Sequence, residues 1–227
     1  MRKNIIELKN IDKIYGTAVK TQVLFDLNLD IEEGSFNSII GQSGSGKSTL
    51  LNIVGTLDKP TKGEVYVGGK RTDQMKKNDL AALRNETMGF IFQFHYLLPE
   101  YTALENVLMP KRIMEKNLSK ETLDRANELM SLVGLEKVKN NLSTNMSGGQ
   151  QQRTAIARAL MNNPKIILAD EPTGNLDSDT TENIYNLLRD INEKFQTTFV
   201  IITHDRRIAE KTDRIIEVKD GRIALDI

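Results

Sequence analysis

The sequence predicts an α/β fold with added antiparallel strands and an inserted helical subdomain. Two short apolar runs, residues 36–40 and 166–169, each lead into a polar loop, which is typical of buried parallel strands. Apolar and polar residues alternate at 25–31, and this pattern predicts a half-buried strand. We expect one domain in two parts, a core of residues 1–93 and 161–227 and a helical subdomain of about residues 94–160.

The other elements are predicted from local signals along the chain. Residues 63–69 form a further strand that ends in turn glycines. The clearest helices lie at 103–109 and 120–133, and Ser119 caps the second with half of a capping box. Asp220-Gly221 stands between two alternating runs and predicts a hairpin turn.

A glycine-rich loop at residues 41–48, Gly-Gln-Ser-Gly-Ser-Gly-Lys-Ser, lies between the strand at 36–40 and a helix-prone run at 49–54. Glycines let the backbone approach a polyanion, and a helix start attracts negative charge. Lys47 can reach the β- and γ-phosphates, and the Ser48 hydroxyl can bind Mg²⁺. A flexible Gly/Ser turn is the alternative, but it does not explain the strand and helix on either side. We expect a P-loop NTPase (RecA-like) core that binds ATP and Mg²⁺ through Gly41, Ser43, Gly44, Ser45, Gly46, Lys47, Ser48 and Thr49.

The apolar run at 166–169 ends in Asp170 and Glu171, at the strand edge where ligands bind in open α/β sheets. Asp170 is predicted to hold the Mg²⁺ shell. Glu171 is placed to polarise the attacking water, which favours hydrolysis over transfer to a substrate hydroxyl. The alternative for these two carboxylates is that they cap the next helix.

A second helix start, Ser147-Gly148-Gly149-Gln150, opens a strong helix at 150–161. It is predicted to offer bare N–H groups to an anion. The residues themselves do not say whose phosphate binds there.

With these elements in this order, the chain resembles the nucleotide-binding subunits of ATP-binding-cassette (ABC) transporters over essentially its whole length. Met146 to Gln150 looks like the family signature, with Met in place of the usual Leu, an apolar exchange of similar volume. The resemblance implies a head-to-tail homodimer in which each signature caps the γ-phosphate held by the other copy. The nucleotide contacts that it implies beyond the phosphate loop are Tyr15, Ser147, Gly148, Gly149, Gln150 and Asp177.

Three further residues take their roles from the resemblance. Tyr15 sits where the family stacks an aromatic ring on adenine, Gln93 matches the residue that senses Mg²⁺ and the attacking water, and His204 matches the γ-phosphate switch. Taken alone, they would be a half-buried strand aromatic, a polar strand end and a scaffold histidine. We expect His95, the other histidine, to be a non-catalytic surface residue.

Composition agrees with a globular ATPase and excludes other classes. The chain has 227 residues, 39% of them hydrophobic, and 31 basic residues balance 31 acidic ones. This balance argues against a nucleic-acid partner, and the lack of cysteine excludes disulfides and thiolate metal sites. Residues 1–7 lack an apolar signal core and no stretch approaches a membrane span, so we expect a cytoplasmic chain, peripheral on the inner face of the membrane.

If the chain powers transport, the pathway belongs to a separate integral-membrane permease. In the family, the segment after Gln93 receives a helix of the membrane subunit. Here that segment contains an apolar cluster, which can be ordinary core or a docking groove and consists of Leu97, Leu98, Tyr101 and Leu104.

Residues 55–61, 95–99 and 169–177 look like the exporter-type branch, which contains lipoprotein-releasing, macrolide- and peptide-exporting and cell-division ATPases. The segment from Gln93 to Pro110 looks most like the lipoprotein-releasing members. Mechanical signalling of the cell-division type stays open as an alternative.

Other classes share some of these motifs. An ATPase of DNA repair needs a long coiled-coil insertion between them, and no sustained heptad is present. A ribosome-associated factor usually joins two cassettes with basic linkers. A simple P-loop kinase does not explain Ser147 to Gln150 or Glu171.

Overall fold

The computed structural model describes residues 3–227, so the first two residues of the predicted 1–7 stretch lie outside the described part. Its strands are β1 (Asn4–Tyr15), β2 (Thr21–Glu32), β3 (Phe36–Ile40), β4 (Lys62–Val67), β5 (Lys70–Arg71), β6 (Met88–Phe92), β7 (Ile166–Asp170), β8 (Thr198–Ile202), β9 (Arg214–Lys219) and β10 (Arg222–Asp226). Its helices are α1 (Lys47–Val54), α2 (Lys77–Thr87), α3 (Ala103–Arg112), α4 (Lys120–Leu132), α5 (Gly148–Leu160), α6 (Ser178–Phe195) and α7 (Arg206–Ala209). Two short 3₁₀ turns lie between α4 and α5, at Glu136–Val138 and Ser143–Asn145.

The central sheet has six strands in the order β10-β9-β3-β8-β7-β6. The five strands from β9 to β6 pair in parallel, and β10 adds antiparallel to the β9 edge. The parallel strands are short and mostly apolar on both faces, because helices cover the sheet on each side. This sheet is the predicted parallel core.

The predicted antiparallel additions form a second sheet of four strands, ordered β2-β1-β4-β5. The alternation that predicted a strand at 25–31 lies inside β2, whose buried residues Leu27, Leu29 and Ile31 face one side. They join a buried cluster that reaches Leu50 on α1 and Ile39 on β3. The second sheet is thereby packed against the first through α1.

The helical segment shares its core with the central sheet. One buried cluster joins Val107 on α3, Leu129 on α4 and Ile156 on α5 to Ile167 and Phe199 on the sheet. The predicted helices at 103–109 and 120–133 are confirmed within a few residues, and Ser119 accepts the Thr122 N–H as expected for half of a capping box. The division into a core and a helical subdomain stays a prediction.

Two further predictions concern the chain ends and the membrane. Asp220 and Gly221 both have positive φ, 48° and 73°, as a tight hairpin between β9 and β10 requires. Among residues 3–227, none of the helices has both the length and the apolar character that a membrane crossing needs.

Candidate functional site

The parallel register brings four strand ends to one edge of the sheet. Ile39 pairs with Ile202, Ile202 pairs with Asp170, and Asp170 pairs with Phe92. The residues that follow this row are the phosphate loop, His204, Glu171 and Gln93. The sequence therefore delivers its predicted chemical groups side by side because their strands are neighbours.

The phosphate loop wraps a helix start that has no side-chain cap. Gly46 is the N-cap of α1 with φ 106°, a conformation that favours glycine, so the first N–H groups of α1 are open toward the loop. The Lys47 ammonium donates to the carbonyl oxygens of Gly41 and Gln42, both at 2.8 Å. A cavity of about 570 Å³ lies here and is lined by this loop, Asp170, Glu171 and His204.

The β9–β10 hairpin supports the phosphate loop through a backbone hydrogen bond. The Gly221 N–H donates to the carbonyl oxygen of Ser45 at 3.0 Å. The Ser45 hydroxyl is buried and has no hydrogen-bond partner within residues 3–227. Of the loop residues predicted to bind nucleotide, Gly41, Ser43, Gly44, Gly46, Lys47, Ser48 and Thr49 line the cavity.

Asp170 lies beside Ser48 and Lys47 at the bottom of this cavity. Burial raises the pKa of the Asp170 carboxyl, and the Ser48 hydroxyl and the Lys47 ammonium partly oppose that rise. A hydroxyl and a carboxylate in contact are the oxygen donors that suit Mg²⁺. The predicted metal residues Ser48 and Asp170 are thus brought together.

Glu171 is held in an unusual backbone conformation next to His204. Its φ is 49°, which is uncommon for a residue with a side chain and costs about 1–3 kcal/mol. Its Oε2 lies 2.7 Å from Nδ1 of His204. An ionised carboxylate only accepts, so in this contact Nδ1 of His204 is the donor whenever Glu171 is ionised, and Nε2 is the other ring nitrogen. The alternative capping role is excluded, because Asp177 caps the next helix.

Gln93 does not line the cavity that holds the other predicted groups. Its amide Nε2 donates to Oδ1 of Asn175 at 3.2 Å, and Nδ2 of Asn175 donates back to the Gln93 carbonyl oxygen at 3.3 Å. The loop at 174–177 therefore holds Gln93 from both its side chain and its backbone. The metal and water roles of Gln93 stay predictions.

The second helix start is less bare than the sequence suggested. Ser147 and Gln150 form a full capping box: the Ser147 hydroxyl accepts the Gln150 N–H, and Gln150 Oε1 accepts the Ser147 N–H. The groups left open at this helix start are the N–H groups of Gly148 and Gly149, and α5 begins two residues earlier than expected. A Cβ on Gly149 would lie 2.9 Å from Cγ2 of Thr180, so only glycine lets α5 approach α6 here.

Asp177 is used within its own chain. Its carboxylate accepts the Thr180 N–H at 2.9 Å and the Thr180 hydroxyl at 2.7 Å, and these bonds lower the pKa of the Asp177 carboxyl. The structure thus gives Asp177 a capping role on α6. Its predicted contact with nucleotide across a dimer stays a prediction.

Tyr15 ends β1 with its ring 40% exposed. Its hydroxyl donates to Oδ2 of Asp58 at 2.8 Å and lies close to Thr49 on the phosphate-loop helix. Burial and the bond to Asp58 raise the pKa of the Tyr15 hydroxyl, while Thr49 opposes the rise. An exposed ring beside α1 is available for stacking on a base.

A second, largely apolar cavity of about 500 Å³ lies between α2, β6, α3 and α5. Ile113 and Leu57 stand at its rim, 76% and 51% exposed. Inside it, the Arg158 guanidinium donates to the carbonyl oxygens of His95 and Tyr96, both at 2.6 Å. We call this cavity and its rim the apolar groove.

The expected apolar cluster after Gln93 is divided between core and surface. Leu104 packs against the buried core, whereas Leu98 is 38% exposed. The most exposed apolar side chains of this segment are Phe94 and Tyr96, at 65% and 63%. The residues that form the apolar groove come instead from α2, β6, the end of α3 and α5.

His95, predicted to be a non-catalytic surface residue, is less exposed than expected, and its non-catalytic character stays a prediction. His95 is half-buried with φ 59°, and burial followed by the charge of Arg158 lowers the pKa of its ring. The physical reason is the Arg158 clamp on its carbonyl oxygen, which draws this turn against α5.

Some residues of the site were not identified from the sequence. Asp58, Asn175 and Arg158 each hold a predicted element in place through hydrogen bonds that join distant parts of the chain. For Arg158 a signal was available, because it is a charged residue inside an apolar helix face. Asp58 and Asn175 carry no such local signal.

An α/β sheet that gathers a phosphate loop and an adjacent carboxylate pair at one edge is the construction of a P-loop nucleotide hydrolase. The ABC transporter family model matches residues 24–174 of the chain. The chain therefore belongs to the ABC transporter family, as its motif order implied. It is an ATP-binding ATPase of that family.

Individual relatives agree over the whole length. A lipoprotein-releasing system ATP-binding protein, LolD 1 of Rhodopseudomonas palustris, is 47% identical over 97% of this chain and 99% of its own. The LolD protein of Francisella tularensis subsp. tularensis is 47% identical over 100% and 99%. A solved ATP-binding cassette, a dimer in a post-hydrolysis state bound to ADP and Pi, superposes with a TM-score of 0.89 at 46% identity, covering 98% of this chain and 97% of the other. The resemblance to lipoprotein-releasing members is confirmed by these relatives.

Proposed function

We propose that this ATPase powers a membrane complex that releases lipoproteins, and that it works as a head-to-tail pair bound to a separate permease. The names of relatives that are 47% identical over their full length support the lipoprotein assignment. Such a chain is peripheral, on the cytoplasmic face of the membrane.

The observation that carries the pairing is the separation of two phosphate-binding helix starts within one chain. The cavity at the phosphate loop is lined by residues of β2, the loop itself, α1, β7 and β8, and none of the residues from Ser147 to Gln150 reaches it. Gly148 nevertheless presents an exposed N–H at the start of α5. A second copy turned by a two-fold axis would bring its α5 start to this phosphate loop, and the same contact would repeat on the other side. The dimeric relative supports this arrangement.

The chemistry we propose uses the groups at the strand edge. Lys47 and the open N–H groups of α1 hold the β- and γ-phosphates. Glu171 orients a water molecule and takes its proton as the water oxygen bonds to the γ-phosphorus and the bond to ADP breaks. His204 keeps Glu171 in place through its Nδ1, and its Nε2 donates to the γ-phosphate when the ring carries both protons.

The described residues fit a magnesium ion. Ser48 and Asp170 are oxygen ligands that lie close together, and the Oε1 of Gln93, which is not used in its bond to Asn175, is a further candidate. When bound, Mg²⁺ would supply positive charge to the triphosphate. The other groups of the site bind and orient the nucleotide and the water, and Glu171 accepts the proton.

The test is the variant Glu171→Gln in the presence of ATP and Mg²⁺. Gln keeps the size of the side chain but cannot take the proton, so hydrolysis should fall at least about a hundredfold. ATP is then retained, and light scattering should show a mass twice that of the monomer. A second variant, Glu171→Gln with Gly148→Asp, should stay monomeric because it places a negative charge against the partner's γ-phosphate.

Two results would count against the proposal. If Glu171→Gln binds ATP but remains a monomer at every protein concentration, the paired site is wrong. If both variants dimerise equally, the start of α5 is not part of the interface.

A further inference from the structure

The end of β1 carries a tightly bonded group of three side chains. Lys13 and Tyr15 lie side by side, with the Lys13 ammonium 4.6 Å from the centroid of the Tyr15 ring. The Lys13 ammonium donates to Oδ1 of Asp58 and to the carbonyl oxygen of Lys59, both at 2.7 Å. The Tyr15 hydroxyl donates to the other carboxylate oxygen, Oδ2 of Asp58, at 2.8 Å. One carboxylate therefore fixes both side chains.

Asp58 is in turn fixed to the phosphate-loop helix. The N–H groups of Leu57 and Asp58 donate to the carbonyl oxygen of Asn52, at 2.8 and 3.1 Å, so the turn after α1 is bound to the helix itself. Burial raises the pKa of the Asp58 carboxyl, but the bonds from Lys13, Tyr15 and the Lys59 N–H outweigh it, and the pKa ends below its ordinary value. Asp58 is thus an ionised anchor on the element that begins with the phosphate loop.

The two faces of the Tyr15 ring have different surroundings. The Lys13 ammonium lies over one face, 4.6 Å from the ring centroid, and Lys13 itself is only 8% exposed. Tyr15 as a residue is 40% exposed, so the face opposite Lys13 is the one left for a base. A base that stacks on this ring can approach from that side only, and a cation on the opposite face holds the ring against tilting.

We infer that Asp58 is a positioning residue for nucleotide: with Lys13 it locks Tyr15 at a set place along α1, and this sets where adenine stacks relative to the phosphate loop. The inference rests on the proposed stacking of adenine on Tyr15. Without the bond to Asp58, the Tyr15 side chain would be free to move. Each nucleotide that binds would then have to fix its position, and this loss of conformational freedom lowers affinity.

The experiment compares the dissociation constants of Mg-ATP and of Mg-tripolyphosphate, which has the phosphates and no base, by calorimetry. Asp58→Ala should weaken ATP binding at least about fivefold, because it removes the bond to Tyr15 and also the bond that holds Lys13, and it should leave tripolyphosphate binding unchanged. Tyr15→Phe keeps the ring and loses only the first of these bonds, so it should weaken ATP binding no more than Asp58→Ala does. The double variant should be no weaker than the stronger of the two single ones, because both remove one interaction.

Each other outcome has a distinct meaning. If Asp58→Ala weakens ATP and tripolyphosphate equally, Asp58 supports α1 rather than the ring, and the inference is overturned. If Tyr15→Ala weakens ATP but Asp58→Ala does not, stacking stands and the lock does not. If Tyr15→Ala leaves ATP binding unchanged, the adenine site itself is wrong and the inference fails with it. Asp58→Asn, which conserves the shape, should lie between the wild type and Asp58→Ala and guards against misfolding.

Discussion

At the scale of single residues, Asp170 and Glu171 are neighbours in the chain but lie in different surroundings. Asp170 ends the strand β7 and is partly removed from water, which raises the pKa of its carboxyl. Glu171 leaves the strand with a positive φ, and this turn directs its carboxylate to His204. The strained backbone at Glu171 thus separates the Asp170 carboxylate, which suits a metal ion, from the Glu171 carboxylate, which is proposed to act on water.

The raised pKa of Asp170 predicts a pH-dependent stability difference for Asp170→Asn in the absence of nucleotide. Between the ordinary and the raised pKa, the folded chain keeps a proton that the unfolded chain has lost, so wild-type stability falls as pH rises through this window. Asn never ionises. Asp170→Asn should therefore be at least as stable as the wild type at pH 8, and this advantage should shrink as the pH falls.

Urea unfolding at several pH values measures this difference. The matched control is Asp179→Asn, an exposed carboxyl in the first turn of α6, for which no such gain at pH 8 is expected. If Asp170→Asn is clearly less stable than the wild type at pH 8, the bonds from Ser48 and the charge of Lys47 outweigh burial in the apo site.

The strand-end groups could be predicted from the sequence because they follow short apolar runs directly. Asp170 and Glu171 needed only the rule that parallel strand ends meet at one edge, whereas the role of His204 also needed the family resemblance. Asn175 and Asp58 could not be predicted, because their partners Gln93 and Tyr15 are 82 and 43 residues away. Polar contacts of this kind depend on the packed structure and leave no local pattern.

At the scale of elements, α5 connects the second phosphate-binding helix start to the apolar groove. Its first turn presents the N–H groups of Gly148 and Gly149, and near its other end Arg158 clamps the carbonyl oxygens of His95 and Tyr96. Both clamped residues have positive φ, so this turn is held in a conformation that costs free energy when unsupported. A movement of α5 would therefore move one wall of the apolar groove.

The apolar groove predicts a docking variant, Ile113→Glu. Ile113 is 76% exposed at the rim, so the substitution adds charge where a helix of the permease would dock and leaves the core intact. Capture of a polytopic membrane protein from gently solubilised membranes should fall at least about tenfold, while ATP hydrolysis by the free subunit should be unchanged. Leu123→Glu is the control, because Leu123 is an exposed apolar residue on α4, away from the groove.

The result distinguishes between two docking sites for the permease. If Ile113→Glu is captured normally and Tyr101→Asp is not, docking belongs to the segment after Gln93 that the sequence indicated. If only soluble or nucleic-acid partners are recovered with the wild type, the transport assignment is wrong although the ATPase chemistry remains.

Helices and strands could be predicted where one face of the element is apolar and the residues that cap or turn it are close in the sequence. Ser119 and the hairpin at Asp220-Gly221 are such signals, and both are confirmed. The apolar groove was not predictable, because its residues come from four elements whose packing brings together Leu57, Met88 and Ile113. The apolar cluster at 97–104 is partly core. Sequence alone does not show which of its apolar residues the neighbouring elements will cover.

At the scale of the whole molecule, the fold places its two phosphate-binding helix starts on different elements and in different surroundings. The phosphate loop opens α1 inside the strand-edge cavity, and the second start opens α5 beside α6. In the proposed pair, neither site is complete within one chain. In that pair, the α5 start of each copy contacts the phosphate loop of the other copy, so all four helix starts bind phosphate.

This arrangement predicts that two inactive variants restore activity when they are mixed. Glu171→Gln lacks the group that takes the proton but has an intact α5 start. Gly148→Asp has an intact Glu171, and an Asp at the helix start is compatible with folding because it suits the α5 dipole. In a mixed pair, one site combines the working phosphate loop and Glu171 of the second variant with the working α5 start of the first. The other site has neither.

Equal amounts combined before ATP is added should therefore hydrolyse ATP faster than either variant alone, and at no more than about half of the wild-type rate, because a mixed pair has one working site of two. Each variant alone should be nearly inactive. Gly148→Ala, whose Cβ would lie at an ordinary 3.4 Å from Leu176, is the control and should stay active by itself. If the mixture is as inactive as its components while both are folded and bind ATP, one chain must complete its own site. The separation of α1 and α5 in the fold would then need a large movement within the subunit instead of a partner.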